Sequence, residues 1–244
     1  MENQYARTQL LLGADAMTRL RNARVAVFGI GGVGGYTVEA LARCGIGTLD
    51  LVDHDTVSLS NINRQIIATH STVGQYKVDV AMRRIADIDP TIQVNPHNTF
   101  FLPETADQFD FRSFDYVVDA IDTVTGKLEL IAKAKEAGVP IISCMGTGNK
   151  LDPSKFEITY LHKTSVCPLA RIMRKECHKR GLDHIKVLYS REDVLEPQAE
   201  DGNPLPVPEN ASRRSVPGSI SFVPSVAGMM IAGEVIRDLI AQNT

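Results

Sequence analysis

The chain has 244 residues, enough for one sizeable core and too few for two roomy domains. Hydrophobic residues make up 43% and charged residues 23%, which excludes a disordered chain. Twenty-six basic against twenty-nine acidic residues give a net charge of -3, so the whole molecule is no basic glove for nucleic acid, although a local patch is compatible with that sum.

Cys44, Cys144, Cys167 and Cys177 form no C-x-x-C pair, which speaks against a disulfide scaffold and a paired-cysteine zinc site and suits a reducing, cytoplasmic setting. Residues 1–7 are polar, so no signal peptide is expected, and no apolar run reaches the roughly 20 residues of a membrane span. Along the chain, Arg24-Val-Ala-Val-Phe-Gly29 reads as a buried strand. A glycine cluster follows, and 36–43 has helical spacing closed by Gly45 and Gly47. Residues 48–53 give a second strand ending on an acid. Residues 77–89 repeat apolar side chains at helical spacing (Val78, Ala81, Met82, Ile85) and stop before Pro90. Strands at 92–94, 116–121 and 139–143, with a helix at 127–137, complete this run. Strands alternating with amphipathic helices predict an α/β, Rossmann-like, mostly parallel sheet with helices on both faces.

Beyond about residue 150 the pattern changes. Residues 156–161 alternate like an edge or antiparallel strand, 168–180 read as a basic helix started by proline, and 186–190 as another strand. Residues 191–217 carry five prolines and read as a long loop, and 224–241 as a closing helix. The expected organisation is a single domain over 1–244, with a nucleotide-binding core at about 20–150 and a C-terminal elaboration at about 151–244.

Gly29-Ile-Gly31-Gly32-Val-Gly34 satisfies G-x-G-x-x-G directly after a strand and before a helix. Such glycines let backbone N–H groups approach a phosphate at the positive end of a helix. Asp53 ends the next strand nineteen residues after Gly34, where an acid accepts hydrogen bonds from ribose hydroxyls. Two readings of the nucleotide follow. A dinucleotide fold needs no strong cations beyond the ribose acid; Arg64 and Lys77 lie there, as phosphate contacts for a triphosphate attacked at its α-phosphorus or as surface charge. Asp119 and Asp122 add acids at the carboxyl edge of the sheet. Asp122 is a candidate ligand for Mg²⁺, and Asp119 a cap for the following turn.

These residues in this order, with Asp53-His-Asp55, Ser60-Asn-Ile-Asn-Arg-Gln65, Val73-Gly-Gln-Tyr-Lys77 and Asp119-Ala-Ile-Asp122, resemble the ThiF/MoeB/ubiquitin-activating-enzyme superfamily. The resemblance implies ATP-dependent adenylation of a carboxylate with release of pyrophosphate. It implies ribose binding by Asp53 of the Asp53/Asp55 pair, phosphate contacts by Arg64 and Lys77 with Asn61 and Gln65 nearby, and Mg²⁺ at Asp122. It also implies that Arg7 reaches the triphosphate of a partner subunit in a homodimer, so that Arg7, Arg64 and Asp122 are the expected catalytic groups. Leu151-Asp-Pro-Ser-Lys-Phe156, Lys163-Thr-Ser-Val-Cys-Pro-Leu-Ala-Arg171, Arg213 and residues 218–228 look like the branch that dehydrates threonylcarbamoyladenosine in tRNA. A monovalent cation and a sulfur-relay protein stay open as further partners. The alternative is an adenylyltransferase for the C-terminus of a ubiquitin-like sulfur carrier; its usual two C-x-x-C pairs are missing here.

Residues 163–191 hold eight Lys/Arg against Glu176 and Asp183, a local balance of +6. Composition leaves two readings: phosphate contacts to RNA, or a solvated helix face onto which acids at Glu192, Asp193, Glu196, Glu200 and Asp201 fold back. Cys167, before a helix-starting proline, is the cysteine best placed for a stabilised thiolate.

Overall fold

A computed structural model of the chain describes residues 3–198 and 217–241. The β-branched runs assemble into one seven-stranded sheet: β1 (Arg24–Phe28), β2 (Thr48–Val52), β3 (Gln93–His97), β4 (Tyr116–Asp119), β5 (Ile141–Cys144), β6 (Phe156–Tyr160) and β7 (Lys186–Ser190). The spatial order is β3-β2-β1-β4-β5-β7-β6. Every neighbouring pair is parallel except β6 against β7, where Phe156 faces Ser190 and Tyr160 faces Lys186. The expected α/β, mostly parallel fold is therefore what forms, and its C-terminal part extends the same sheet.

The helices are α1 (Ala6–Leu12), α2 (Ala14–Asn22), α3 (Gly34–Arg43), α4 (Lys77–Ile88), α5 (Val124–Ala137), α6 (Pro168–Lys179) and α7 (Phe222–Ala241). Side chains alternate along a strand, so β1 feeds two cores. Val25 and Val27 pack with Leu41 of α3, Ile85 of α4 and Ile231 of α7, while Ala26 and Phe28 pack with Ile131 of α5 and Met173 of α6. Phe28 meets Phe101 and Phe109 edge-on at centroid distances of 4.9 and 5.4 Å. Such pairs add to plain area burial.

Some boundaries moved for identifiable reasons. Val139 is not a strand residue, because Gly138 closes α5 in the left-handed conformation (φ 71°) and the Val139 amide donates to the Ala134 carbonyl. β3 starts at Gln93 because Asp89 caps the turn before it, accepting from the Thr91 amide at 2.9 Å and the Thr91 hydroxyl at 2.7 Å. α1 and α2 were not foreseen. α7 returns to the first half of the chain: the Thr37 hydroxyl donates to the Gly228 carbonyl at 3.1 Å, and a Cβ on Gly228 would stand 2.4 Å from the Val33 carbonyl oxygen. Among the described residues no helix is long and apolar enough to cross a membrane. Much of the loop expected at 191–217, and Arg213 with it, lies outside the described residues.

Candidate active site

The six parallel strands, β1 to β5 and β7, all end at one edge, and the glycine loop lies there between β1 and α3. Its glycines differ in purpose. Gly29 has φ 91°, and a Cβ on it would stand 2.7 Å from the Ala120 carbonyl oxygen; one on Gly34 would stand 1.8 Å from that of Gly29. These two let the chain fold tightly. Gly31 is open: the nearest atom to an added Cβ is Nε2 of Gln65 at 3.9 Å. A Cβ on Gly32 would meet Pro224 of α7 at 3.2 Å and the Arg64 side chain at 3.6 Å. Among the described residues the amides of Gly31, Gly32 and Val33 have no hydrogen-bond acceptor. Unpaired amides at a helix start are what an anion cradle requires.

Asp53 is tied to that loop. One oxygen accepts from the Ile30 amide at 2.7 Å, the other from the Asp55 amide at 2.8 Å. A carboxylate has further lone pairs for ribose hydroxyls. Lys77, only 5% exposed at the start of α4, has its ammonium 2.6 Å from Asp55 and 3.9 Å from Asp53. Asp53, His54 and Asp55 could offer three ligand atoms within 4.8 Å of one another. The Lys77 ammonium already supplies the positive charge there, which disfavours a metal at that cluster.

The crossing segment after β2 turns back over the glycine loop. The Asn61 carboxamide oxygen accepts from the Ser58 amide at 3.1 Å, so its first duty is to shape a 3-10 turn at Leu59–Asn61. Gln65 is buried, and its Oε1 has no partner among the described residues. Arg64 donates to the Ser60 carbonyl and the Asn63 side chain, both at 2.9 Å, with no carboxylate paired to it among the described residues. Burial pushes its guanidinium below the usual arginine value. A half-buried cation without a carboxylate and an orphaned amide oxygen beside an open cradle are what an anionic ligand that also carries hydrogen-bond donors would complete.

Asp119 and Asp122 part company. Asp119 is fully buried in an ion pair with Lys127 at 3.0 Å, accepts from Ser143 at 2.5 Å and caps the Ile121 amide at 3.3 Å. The capping role expected of Asp119 is present; the buried Lys127 was missed, as nothing in its amphipathic helix distinguishes it from a surface lysine. Asp122 stands in the loop between β4 and α5, next to Thr123, whose buried hydroxyl has no partner among the described residues. A carboxylate and a hydroxyl oxygen in this loop are the hard donors that Mg²⁺ takes.

Arg7 is exposed on α1, and Tyr5 beside it anchors at the far end of α3, donating to the Ala42 carbonyl and to Asp89. The ten residues of α3 separate that end from the glycine loop by about 15 Å. The cysteines give no reactive thiol signal. Burial raises Cys144 to about 12 and Cys177 to about 11, and Cys167 is buried, contrary to the accessible thiolate its position before Pro168 suggested.

The basic segment is thinner than its sequence. Lys179 and Arg180 pair with Glu176, Lys186 with Glu234 and Asp238, and Arg174 donates to the Thr164 carbonyl. Glu192 does not fold over the patch: it is buried and accepts from the Leu151 and Asp152 amides. Glu200 and Asp201 lie outside the described residues. Lys163, Arg171 and Lys175 have no acidic partner among the described residues.

The model of the ThiF family matches residues 2–244. A tRNA threonylcarbamoyladenosine dehydratase of Bacillus subtilis (strain 168) is 40% identical, over 98% of this chain and 96% of its own. An adenylyltransferase and sulfurtransferase, uba4, of Ogataea parapolymorpha is 33% identical over 68% of this chain and 43% of its own. Among solved structures, the E. coli tRNA N6-threonylcarbamoyladenosine dehydratase TcdA in complex with ATP superposes with a TM-score of 0.87 at 30% identity, covering 98% of this chain and 94% of that one.

Proposed function

The chain belongs to the ThiF family, and from that premise we propose that it is an ATP-dependent enzyme that dehydrates threonylcarbamoyladenosine in tRNA. The observation that carries this reading is the extent of the likeness. The Bacillus subtilis dehydratase matches both the glycine-loop half and the C-terminal elaboration at 151–244, end to end. The sulfurtransferase relative matches two thirds of the chain. That difference favours the dehydratase over activation of a ubiquitin-like sulfur carrier.

In this reading the amides of Gly31, Gly32 and Val33, with Nε2 of Gln65 toward Gly31, donate to the phosphates, and Asp53 takes the ribose hydroxyls. Arg64 and Lys77 offset negative charge as the threonyl carboxylate attacks the α-phosphorus and the bond to pyrophosphate breaks. Lys77 is held ready by Asp55, which gives up part of that contact when phosphate arrives. Asp122, with the Thr123 hydroxyl beside it, would hold Mg²⁺, which supplies charge neutralisation on the leaving pyrophosphate. The neighbouring carbamoyl group then closes onto the activated carbonyl, AMP leaves and one proton is lost. Proximity makes this second step effectively unimolecular, so it needs no cysteine.

Arg7 belongs to the proposal as a residue acting across a two-fold dimer. Leu10 and Leu11, on the same short helix, are each 87% exposed. An open apolar pocket of about 570 Å³, lined by Tyr36, Ile158, Val226, Met229 and Met230, offers a second copy's helix a seat. Free thiols and a tRNA substrate suit a cytoplasmic enzyme. Among the described residues nothing singles out a monovalent-cation site or a docking face for a sulfur-relay protein, and the proposal includes neither.

Mass spectrometry of nucleosides from tRNA incubated with the protein and ATP is the test. The expected result is threonylcarbamoyladenosine lighter by one water, with AMP and pyrophosphate released. An unchanged nucleoside, with pyrophosphate exchange driven instead by a sulfur-carrier protein, would overturn the reading.

A further inference from the structure

At the opposite edge of the sheet from the glycine loop lies an open pocket of about 690 Å³ that the adenylation chemistry leaves unused. It forms where β6 ends and β7 begins. β7 runs parallel to β5, so His184, two residues before β7, is at the amino edge. His162 and His184 line it, and the Tyr160 ring adjoins them. Tyr160 and His162 lie near-parallel, 11° apart with centroids at 6.0 Å, and His184 stands across both at 6.1 and 6.2 Å. All three are exposed, and His184 holds a left-handed backbone conformation (φ 47°) that turns the chain at this corner. The rings therefore form an open L rather than a packed core.

The other wall is α6. Arg171, Lys175 and His178 follow one another at i, i+4 and i+7, on one face, and all three line the pocket. Arg171 and Lys175 are among the basic side chains of this segment that have no acidic partner among the described residues. The Lys163 ammonium also sits 5.9 Å from the Tyr160 ring centroid. One acid, Asp183, lines the same pocket. α6 starts beside the active-site edge, where an added Cβ on Gly146 would stand 4.0 Å from Leu169, and runs about 18 Å to Lys179, with the pocket along it from Arg171 to His178. A row of cations leading to stacked rings is how proteins hold a phosphodiester strand with an unstacked base.

From this juxtaposition we propose that the Tyr160–His162–His184 corner is a second RNA subsite, taking one unpaired base of the tRNA, with the α6 row on its flanking phosphates. The inference rests on the tRNA reading above. The base held there is not the reacting one, because the pocket and the glycine loop occupy opposite edges of the sheet. It anchors the substrate a few nucleotides away along the strand.

The experiment measures binding of an unmodified tRNA transcript, and of the same transcript with single abasic positions, to wild type and to the His162→Ala/His184→Ala and Arg171→Ala/Lys175→Ala variants. Both variants change exposed side chains, and their melting temperatures check the fold. ATP affinity, read separately by calorimetry, is expected to stay at the wild-type value. We expect each variant to lose at least tenfold in tRNA affinity. We expect one abasic position, distinct from the reacting nucleotide, to weaken wild type and to add nothing in the histidine variant. Wild-type affinity in both variants overturns the subsite alone, since tRNA would still bind. So does a sensitive position that coincides with the reacting nucleotide. Failure of wild type to bind any tRNA overturns this proposal together with the dehydratase reading.

Discussion

Gly31 and Gly34, three residues apart in one loop, carry different constraints, and single substitutions separate them. A Cβ on Gly34 would lie inside the Gly29 carbonyl, so Gly34→Ala forces the β1–α3 turn apart. We expect that change to cost about 3 kcal/mol of stability, visible as a large fall in the urea midpoint. Gly31→Ala meets nothing closer than the Gln65 amide at 3.9 Å, so stability should stay within about 0.5 kcal/mol of wild type. Its methyl would occupy the open cradle instead, and calorimetry should show ATP affinity falling about tenfold or more. A Gly31→Ala protein that binds ATP normally would mean that phosphates do not lie over this loop.

At the scale of elements, the carboxyl ends of β4 and β5 and the start of α5 are held together by one buried network. Lys127 on α5 reaches both oxygens of Asp119 on β4 and the Cys144 carbonyl at 2.7 Å, and Ser143 on β5 donates to the same carboxylate. Removing one partner of a buried pair strands the other charge. Lys127→Met should therefore cost about 3–5 kcal/mol, and adding Asp119→Asn should return part of that loss. A double variant no more stable than Lys127→Met would show that the network contributes shape rather than charge balance. This network also marks how far the sequence could be read. β1, β2, β4 and the glycine loop were legible because β-branched runs ending on glycine or acid have few alternative folds. Asp53 was legible from its place at a strand end. Lys127 was not, because an interior lysine differs from a surface one only by a partner eight residues away on another element. The orphaned oxygens of Gln65 and Thr123 emerge only once three segments meet. The i, i+3 and i, i+4 pairs of Glu176 with Lys179 and Arg180 were readable from spacing alone, and counting net charge across the segment hid them.

Across the whole molecule, charge is organised at both edges of the sheet, and two tests reach that scale. Asp50, fully buried on β2, gathers Arg24 from β1 and Asn95 and His97 from β3. Burial alone would raise its pKa; hydrogen bonds from Arg24 and His97 reverse that and bring it down to about 2. A depressed carboxylate stabilises the fold above its unfolded pKa of about 4, and the contribution is lost as pH falls towards 2. Acid unfolding of wild type should show a loss of about 2 kcal/mol in that window, absent in Asp50→Asn. The second test asks whether one chain makes a complete site. Arg7 stands beyond the far end of α3 from its own glycine loop, so its guanidinium serves the triphosphate only if a two-fold partner brings the loop to it. An arginine supplied in trans offsets phosphate charge with a planar fork that lysine lacks. In a heterodimer of Arg7→Ala and Asp122→Ala subunits, a trans arrangement leaves one intact site, on the subunit that lacks its own Arg7. A cis arrangement leaves none. We expect each variant alone to be inactive in tRNA dehydration and an equilibrated equimolar mixture to recover about a quarter of wild-type turnover, since half the dimers carry one site of two. A mixture that stays inactive while native mass spectrometry shows subunit exchange would place Arg7 outside the partner's site.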